Sequence, residues 1–355
     1  MILRLPIELH TAVITECWTF EKLAMIEASP CGEAWLASHL SLCMDPHFSC
    51  YFGDWDTHYP PSYYDDVLSV REIPVYASSD SAILEQMKTQ IRGGRYVMVV
   101  LHQGPDDRDD RNAYHESLLY GYDSDRRVFF APVLRNTELV EGELPFESVL
   151  ASLSKLKAHM IEMPDDRFFW ASDYQFPLSC ITVRPDVVPN PYMVLQKFIP
   201  EVWGKTMLLT ELNMDMQPYG EKRIYRGLGC LWGIREALTR FLRGEAMPDA
   251  FIGFTRNFKK LCEHRRLLLR SMRYMVRQWQ IHNEDIEHCM RVYSSCIDRV
   301  ETWLSLSIKA DITQKPSLLS KIIDEIPAAY REEFLMLSDF YNRSLIWYRD
   351  RHQSL

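Results

Sequence analysis

The sequence lacks the features of a secreted or membrane-spanning protein. Residues 1–16 contain neither the basic segment nor the apolar segment of a signal peptide. The longest apolar run, Tyr96 to Leu101, is far too short to cross a bilayer. The nine cysteines are odd in number and scattered, whereas secreted disulfide frameworks are shorter and denser in cysteine. The sequence therefore predicts a reduced, cytoplasmic protein.

An excess of positive charge is also missing. Lys and Arg total 40 against 49 Asp and Glu, so the formal net charge is -9. Nucleic acid is not an expected partner, because binding through counterion release needs a basic surface. An acidic protein can instead attract a cation such as an amine substrate.

The periodicity of apolar residues divides the chain in two. Short strand-like and helix-like segments alternate up to a boundary marked by Pro185, Pro189 and Pro191, and long helical patterns follow. The predicted helices span 16–28, 80–92, 147–159, 226–242, 248–282, 284–306 and 323–348, and the predicted strands span 96–101, 114–120, 127–133 and 178–183. We therefore expect an α+β domain over residues 1–190, with an antiparallel sheet, and an α-helical bundle over residues 191–355.

Cys17 is the candidate nucleophile. An amphipathic helix is predicted to start near Glu16, with Thr15 as its N-cap. Cys17 then lies in the first turn, where the partial positive charge of the helix N-terminus favours a thiolate. The alternative is that Cys17 is a small buried side chain, as most free cysteines are.

His115 opens a predicted strand that ends in a turn. From Tyr114 to Asp123 the sequence reads Tyr-His-Glu-Ser-Leu-Leu-Tyr-Gly-Tyr-Asp. The histidine is a general base if the chain supplies a nucleophile, and otherwise an ordinary strand residue. Asp123 either orients the imidazole or shapes the turn through hydrogen bonds to nearby backbone. Glu116 points to the opposite face of the strand from His115, so it is a poor orienting group.

Two polar clusters have both a functional and a simpler explanation. His39, Cys43, His47 and Cys50 carry zinc-binding side chains, but their spacing matches no standard zinc pattern, which favours a chance cluster. The four aspartates of residues 104–111 suit an amine or calcium, although a charged run is usually a solvated loop. We predict no metal site.

A stripe of arginines follows the predicted helix over residues 248–282. The face opposite the apolar stripe carries Arg266, Arg270, Arg273 and Arg277. These side chains form either a solvated face with ion pairs or a docking surface for an acidic partner.

The order of these elements resembles the papain-like fold of the bacteriocin-leader-processing cysteine peptidases. It is more similar still to the butirosin biosynthesis protein H-like N-terminal domain. The resemblance is carried by Cys17, by the helix and strand of residues 82–101, and by residues 115–123. The second half, with Tyr225-Arg-Gly-Leu-Gly229 at a predicted helix start, is similar to the tail that follows this domain. The resemblance covers most of the chain.

This family implies an acyltransferase of natural-product biosynthesis, which moves an acyl or aminoacyl group from a carrier-protein thioester to an amine. The resemblance assigns Cys17 as the nucleophile of an acyl-enzyme and His115 as its base. Backbone N–H groups at the start of the Cys17 helix would stabilise the oxyanion. The expected partners are an acyl or peptidyl carrier protein, which delivers the phosphopantetheine arm, and a small-molecule or peptide amine. No other cofactor, no nucleic acid and no membrane are expected.

One position departs from the family pattern. In the peptidase relatives an Asp-Pro pair on the next strand orients the histidine, but the matching pair here is Ala131-Pro132. Asp123 is the candidate substitute. Loss of the orienting acid slows a catalytic triad without abolishing it, because nucleophile and oxyanion hole remain. The alternatives to an acyltransferase are a non-catalytic papain-like module that binds a carrier arm or peptide, and a cysteine peptidase or thioesterase.

Overall fold

The fold is taken from a computed structural model. It describes residues 1–53, 64–75, 79–102, 114–135, 138–162, 177–184, 186, 191–204, 207–208, 223–245 and 250–352. The architecture is α+β, with antiparallel sheets and a helical C-terminal region. The chain forms two compact units: Met1–Gly32 with His58–Val187, and Glu33–Thr57 with Val188–Leu355.

In the part of the first unit that the structure describes, the strands form two antiparallel sheets, and they are numbered along the chain. One sheet has the order β1 (Ile2–Arg4), β7 (Gly121–Asp123), β8 (Val128–Arg135) and β9 (Glu138–Pro145). The other has the order β4 (Leu68–Glu72), β10 (Leu178–Val183), β5 (Tyr96–His102) and β6 (Tyr114–Leu119). The chain passes from β6 to β7 at Tyr120, and so from one sheet to the other. The predicted strands at 96–101 and 178–183 are confirmed.

Among the described residues of this unit, the sheets are accompanied by the helices α1 (Cys17–Glu27), α3 (Asp80–Arg92) and α4 (Phe146–Glu162). Helix α3 forms as predicted because the Ser79 hydroxyl accepts the Ala82 N–H, which caps its first turn. Its buried side chains, Ile83, Leu84, Met87 and Ile91, join a core with both sheets and α4.

The second unit is mainly helical. Its helices are α2 (Gly32–Ser38), α5 (Pro191–Val202), α6 (Gly229–Leu242), α7 (Ala250–Gln278), α8 (Glu284–Thr313) and α9 (Ser320–His352). A 3₁₀ turn, Pro316–Leu319, lies between the last two. Its sheet has the order β11 (Met207–Leu208), β12 (Arg223–Arg226), β2 (Leu42–Met44) and β3 (Cys50–Phe52). Large buried side chains such as Phe198, Tyr293 and Phe340 fill the core.

The second unit differs from the expected C-terminal bundle in two ways. Residues 33–57, which the sequence-based division placed with residues 1–190, supply α2, β2 and β3 to this unit. The helix expected from residue 226 starts at Gly229, because Arg226 ends strand β12. Gly227 makes the turn between them at φ +51°, a conformation that disfavours other residues. Its N–H binds the Leu42 carbonyl of β2.

Candidate active site

Helix α1 begins at Cys17 because Glu16 is its N-cap. Glu16 has extended dihedral angles, φ -130° and ψ 115°, as N-cap residues do. Its carbonyl oxygen accepts the N–H groups of Thr19 and Phe20 at 3.0 and 2.9 Å. Its side-chain Oε2 accepts the Thr19 hydroxyl at 2.9 Å. The helix is as predicted, but the prediction that Thr15 caps it is wrong by one residue.

Position 17 is therefore the first residue of a helix, as the candidate nucleophile requires. Positions 17 and 18 precede the two N–H groups that the Glu16 carbonyl accepts, and the first N–H groups of a helix can bind a developing negative charge. The side chain of Cys17 lies outside the described part of the structure, and its role as nucleophile stays a prediction.

His115 lies near the start of β6, where it is paired with Leu101 of β5 in the antiparallel register. Its side chain is half-buried. Within the described residues, β6 is the last strand of its sheet. One edge of β6 is therefore left for contacts other than strand pairing.

Helix α1 occupies that edge. The N–H of Leu118 in β6 donates to Oε1 of Glu21 in α1 at 3.3 Å. One residue further along the helix, Lys22 Nζ lies 4.0 Å from Glu116 Oε2 of the same strand. The helix that starts at Cys17 thus contacts the strand that carries His115. These two elements are far apart in sequence, and the fold brings them together.

The contact between α1 and β6 is buried and charged. Glu21, Lys22 and Glu116 are 3%, 0% and 8% exposed. Burial, followed by the charge of Glu116, raises the pKa of the Glu21 carboxyl well above its usual range. Lys22 and the Leu118 N–H oppose this shift without cancelling it. Sequence reasoning missed this cluster because a one-sided apolar period does not predict that Glu21 and Lys22 are buried.

Asp123 lies on the other sheet, in β7, opposite Ile2 and Val128. It follows His115 by eight positions, which is up to about 26 Å of extended chain. Its Oδ1 accepts the N–H groups of Asp125 and Arg126 at 2.9 and 3.3 Å. The carboxylate therefore shapes the turn after β7, which was the second of the two explanations. A catalytic role for Asp123 stays a prediction. The two hydrogen bonds described for its carboxylate go to the turn and not to His115.

The position that carries the orienting acid in the peptidase relatives is Ala131, which is fully buried in β8 opposite Gly142. A Cβ on Gly142 would approach Val133 Cγ1 to 2.6 Å, so the sheet is tightly packed here. An alanine methyl fits this space and supplies no hydrogen-bond acceptor.

Comparison with known proteins adds no assignment to this geometry. No protein-family model and no curated protein matches the chain.

The candidate zinc ligands Cys43, His47 and Cys50 belong to the second unit. Cys43 and Cys50 lie on the paired strands β2 and β3, and both are buried. Cys43 Sγ contacts the Gly53 carbonyl at 3.5 Å. Among the described residues, no group of three or more His, Cys, Asp and Glu side chains is placed to hold a metal ion. The aspartates of residues 104–111 lie outside the described residues.

The arginine stripe on α7 forms ion pairs. Arg266 contacts Glu301, and Arg277 Nη2 lies 2.5 Å from Glu33 Oε1. All four of these side chains are substantially exposed. These contacts favour the solvated face over the docking surface.

No helix in the described part of the chain is long and apolar enough to span a membrane.

Sequence reasoning also missed a chain of buried charges in the second unit. Arg265 Nε donates to Glu333 Oε2 at 3.0 Å, and Arg265 Nη1 lies 3.1 Å from His264 Nδ1. His264 Nε2 lies 3.0 Å from Glu201 Oε2. All four side chains are fully buried. Because a guanidinium can only donate, Nδ1 of His264 accepts, and the proton of the neutral ring lies on Nε2.

Lys197 belongs to the same region of the second unit. Its Nζ lies 3.3 Å from the Ser271 hydroxyl oxygen, and burial lowers the pKa of the ammonium to about 8. Burial lowers the pKa of His264 as well. The pKa of Glu201 is lowered, since His264 and Lys197 together outweigh the effect of burial. The sequence gives one signal of this network: charged residues recur on the face of α7 that packs in the core.

Proposed function

We propose that the chain is a cysteine-dependent acyltransferase with a papain-like first unit, of the butirosin biosynthesis protein H-like type. The observation that supports this proposal is the contact between α1 and β6, made by Glu21 with Leu118 and by Lys22 with Glu116. A papain-like enzyme needs its cysteine at a helix start and its histidine on a strand beside that helix. This contact is compatible with both requirements.

The proposed reaction has two steps. In the first, the Cys17 thiolate attacks the carbonyl carbon of a carrier-bound thioester, and the bond from carbon to the pantetheine sulfur breaks. The carrier thiol leaves with a proton, and the acyl group stays on Cys17. In the second, an amine nitrogen attacks the acyl carbon and gives a proton to His115, while the bond from carbon to the Cys17 sulfur breaks. The product is an amide.

The roles of the parts follow from this scheme. His115 accepts the thiol proton in the first step and the amine proton in the second. The backbone N–H groups of the first turn of α1 stabilise the oxyanion of each tetrahedral intermediate. The phosphopantetheine arm of a carrier protein delivers the acyl group, and the chemistry needs no other cofactor. The proposed location is the cytoplasm.

Acyl transfer to Cys17 is testable by mass spectrometry. The protein is incubated with a carrier protein that bears an aminoacyl thioester, and peptides are searched for the acyl adduct. We expect the adduct on Cys17 in the wild type, none in Cys17→Ala, and a large reduction in His115→Ala. Cys180→Ala and His10→Ala are matched controls in the same unit, and both should form the adduct.

Two results would argue against an acyltransferase. An unmodified Cys17, together with full amide formation by Cys17→Ala, would contradict the proposal. Release of free acid in the absence of an amine would favour a thioesterase or peptidase, because water would then be the acceptor.

A further inference from the structure

One face of helix α6, in the second unit, lines a cleft of about 730 Å³. This volume lies within the range of small-molecule binding sites. Three arginines, Arg235, Arg240 and Arg243, line the cleft together with Trp232. The chain as a whole carries a formal charge of -9, so a group of arginines in one concave surface is a local feature. Such a surface attracts anions.

Arg240 is already paired inside the cleft. Its Nη2 lies 2.6 Å from Oε1 of Glu236, one helical turn earlier. The other carboxylate oxygen of Glu236 accepts the Tyr225 hydroxyl at 2.5 Å. Both oxygens of Glu236 therefore have donors, and this carboxylate is committed to Arg240 and Tyr225.

Arg235 and Arg243 have no carboxylate partner among the described residues. Nε of Arg235 donates to the Ile323 carbonyl at 3.3 Å, and its Cζ lies 5.8 Å from the ring centre of Trp232. Both partners are neutral, so they hold the guanidinium in place without cancelling its charge. The two Nη groups of Arg235 keep the fork that binds two oxygens of one phosphate or carboxylate.

Trp232 supplies apolar surface beside this fork. Its side chain is 37% exposed, and Tyr330 packs against it with the ring centres 5.3 Å apart. Trp232 and Arg235 are three residues apart on α6, so they share a face of the helix. A ligand whose anionic group binds Arg235 therefore has the indole beside it for an aromatic ring.

Arg243 adds a second unmatched positive charge to the cleft. It lies eight residues beyond Arg235, which is about 12 Å along the helix axis. The acidic side chains of the cleft are Glu236 and the exposed Glu245. With three arginines and two glutamates, the lining sums to one positive charge.

We propose that the cleft on α6 binds a phosphorylated small molecule, with phosphate oxygens on the Nη groups of Arg235 and an aromatic ring on Trp232. Phosphate suits the cleft better than carboxylate does. Two arginines lack a carboxylate partner, and a phosphate monoester carries about two negative charges at neutral pH. The inference uses no residue of the first unit, so it does not rest on the acyltransferase proposal.

Phenyl phosphate is a probe that carries both chemical groups. We expect saturable binding to the wild type, measured by isothermal titration calorimetry at fixed ionic strength. Arg235→Gln should weaken binding about tenfold or more, because the fork and its charge are lost. Arg235→Lys keeps the charge without the fork and should also weaken binding. Arg256→Gln is the matched control, because Arg256 is an exposed arginine of α7 outside the cleft. It should bind as the wild type does.

Inorganic phosphate and phenol separate the two contacts. The wild type should bind phenyl phosphate about threefold or more tightly than inorganic phosphate. Trp232→Leu should remove this preference and keep the binding of inorganic phosphate. Phenol lacks the phosphate and should bind far more weakly, so a phenol affinity equal to that of phenyl phosphate would contradict the inference.

The arginine variants decide whether the anion binds in the cleft. Equal affinity of the wild type and Arg235→Gln for phenyl phosphate would overturn the inference, as would an equal loss in Arg256→Gln. A wild type that binds neither phosphate probe would overturn it as well. Arg243→Gln changes an exposed residue and decides the matter if the Arg235 variants do not fold. It should weaken binding about twofold to threefold, and an unchanged affinity would contradict the inference.

Discussion

The two units both bury charged side chains, but they balance them differently. In the first unit, two carboxyls lie beside one ammonium, and one oxygen of Glu21 lacks a partner among the described residues. In the second unit, Glu333 pairs with Arg265 at 3.0 Å, and Glu201 lies 3.0 Å from the neutral His264, with the Lys197 ammonium nearby. In the first unit, burial and the charge of Glu116 raise the pKa of Glu21. In the second unit, His264 and Lys197 outweigh burial and lower the pKa of Glu201.

The largest loss of stability is expected from a change to the buried charged residues of the second unit. Arg265→Met leaves Glu333 buried without its cation and His264 Nδ1 without its donor. We expect a loss of about 3–5 kcal/mol in the free energy of unfolding, measured with denaturant. The neighbouring Arg266→Met is the matched control, because its pair with Glu301 is exposed. It should cost less than about 1 kcal/mol. Equal losses would break the contrast between buried and exposed pairs.

Gly227→Ala tests how tightly the buried charges of the second unit are packed, because Gly227 packs on Glu201. A Cβ there would lie 2.6 Å from the Glu201 Cα, at φ +51°. We expect a loss of about 2–4 kcal/mol, from strain and overpacking together. Gly244→Ala, in the same unit, has φ +84° but open space around it. It should lose only about 1–2 kcal/mol, and a loss as large as that of Gly227→Ala would show that contact with Glu201 is not the cause.

The pH dependence of local stability should have opposite signs in the two units. The pKa of Glu21 is raised in the folded state, so its contribution is present at low pH and is lost as pH rises above the ordinary carboxyl value. The pKa of His264 is lowered, so its contribution is lost as pH falls below about 6.5. Each slope is at most about 1.4 kcal/mol per pH unit.

Hydrogen exchange of α1 and α7 amides between pH 5 and 8, read by mass spectrometry, measures the two slopes separately. Glu21→Gln should flatten the first and His264→Gln the second. Slopes of the same sign in the two wild-type helices would contradict the assigned protonation states.

The smallest effect is expected at the arginine stripe. Arg277→Ala removes an exposed pair with Glu33. Stability should fall by less than about 1 kcal/mol, and the loss should shrink further in high salt. A larger, salt-independent loss, measured by denaturant unfolding, would show that this face does more than form solvated ion pairs.

Elements with strong local signals could be predicted from the sequence. Ser79 and the apolar period give α3, and the apolar runs give β5 and β10, because caps and periodicity act over a few residues. The membership of residues 33–57 could not be predicted, because β2 pairs with β12, which lies far along the chain. The start of α6 was misplaced because the turn at Gly227 depends on its contact with β2.

The candidate site could be predicted only in part. The helix start at Cys17 and the strand at His115 follow from pattern. The cluster beside them does not, since residues 19–26 of α1 are all buried, including the charged Glu21 and Lys22. A one-sided apolar pattern is expected for a surface helix, and α1 is not one. The role of Asp123 in its turn was one of two explanations, and only the hydrogen bonds distinguish them.

The most direct test of the Cys17 and His115 pair is competitive alkylation of the native protein at neutral pH, with each cysteine read by mass spectrometry. The other eight cysteines are free thiols and buried. The account predicts that Cys17 reacts first and that His115→Ala slows its labelling without changing the others. Labelling of Cys17 no faster than of the buried cysteines, and equally in His115→Ala, would contradict it.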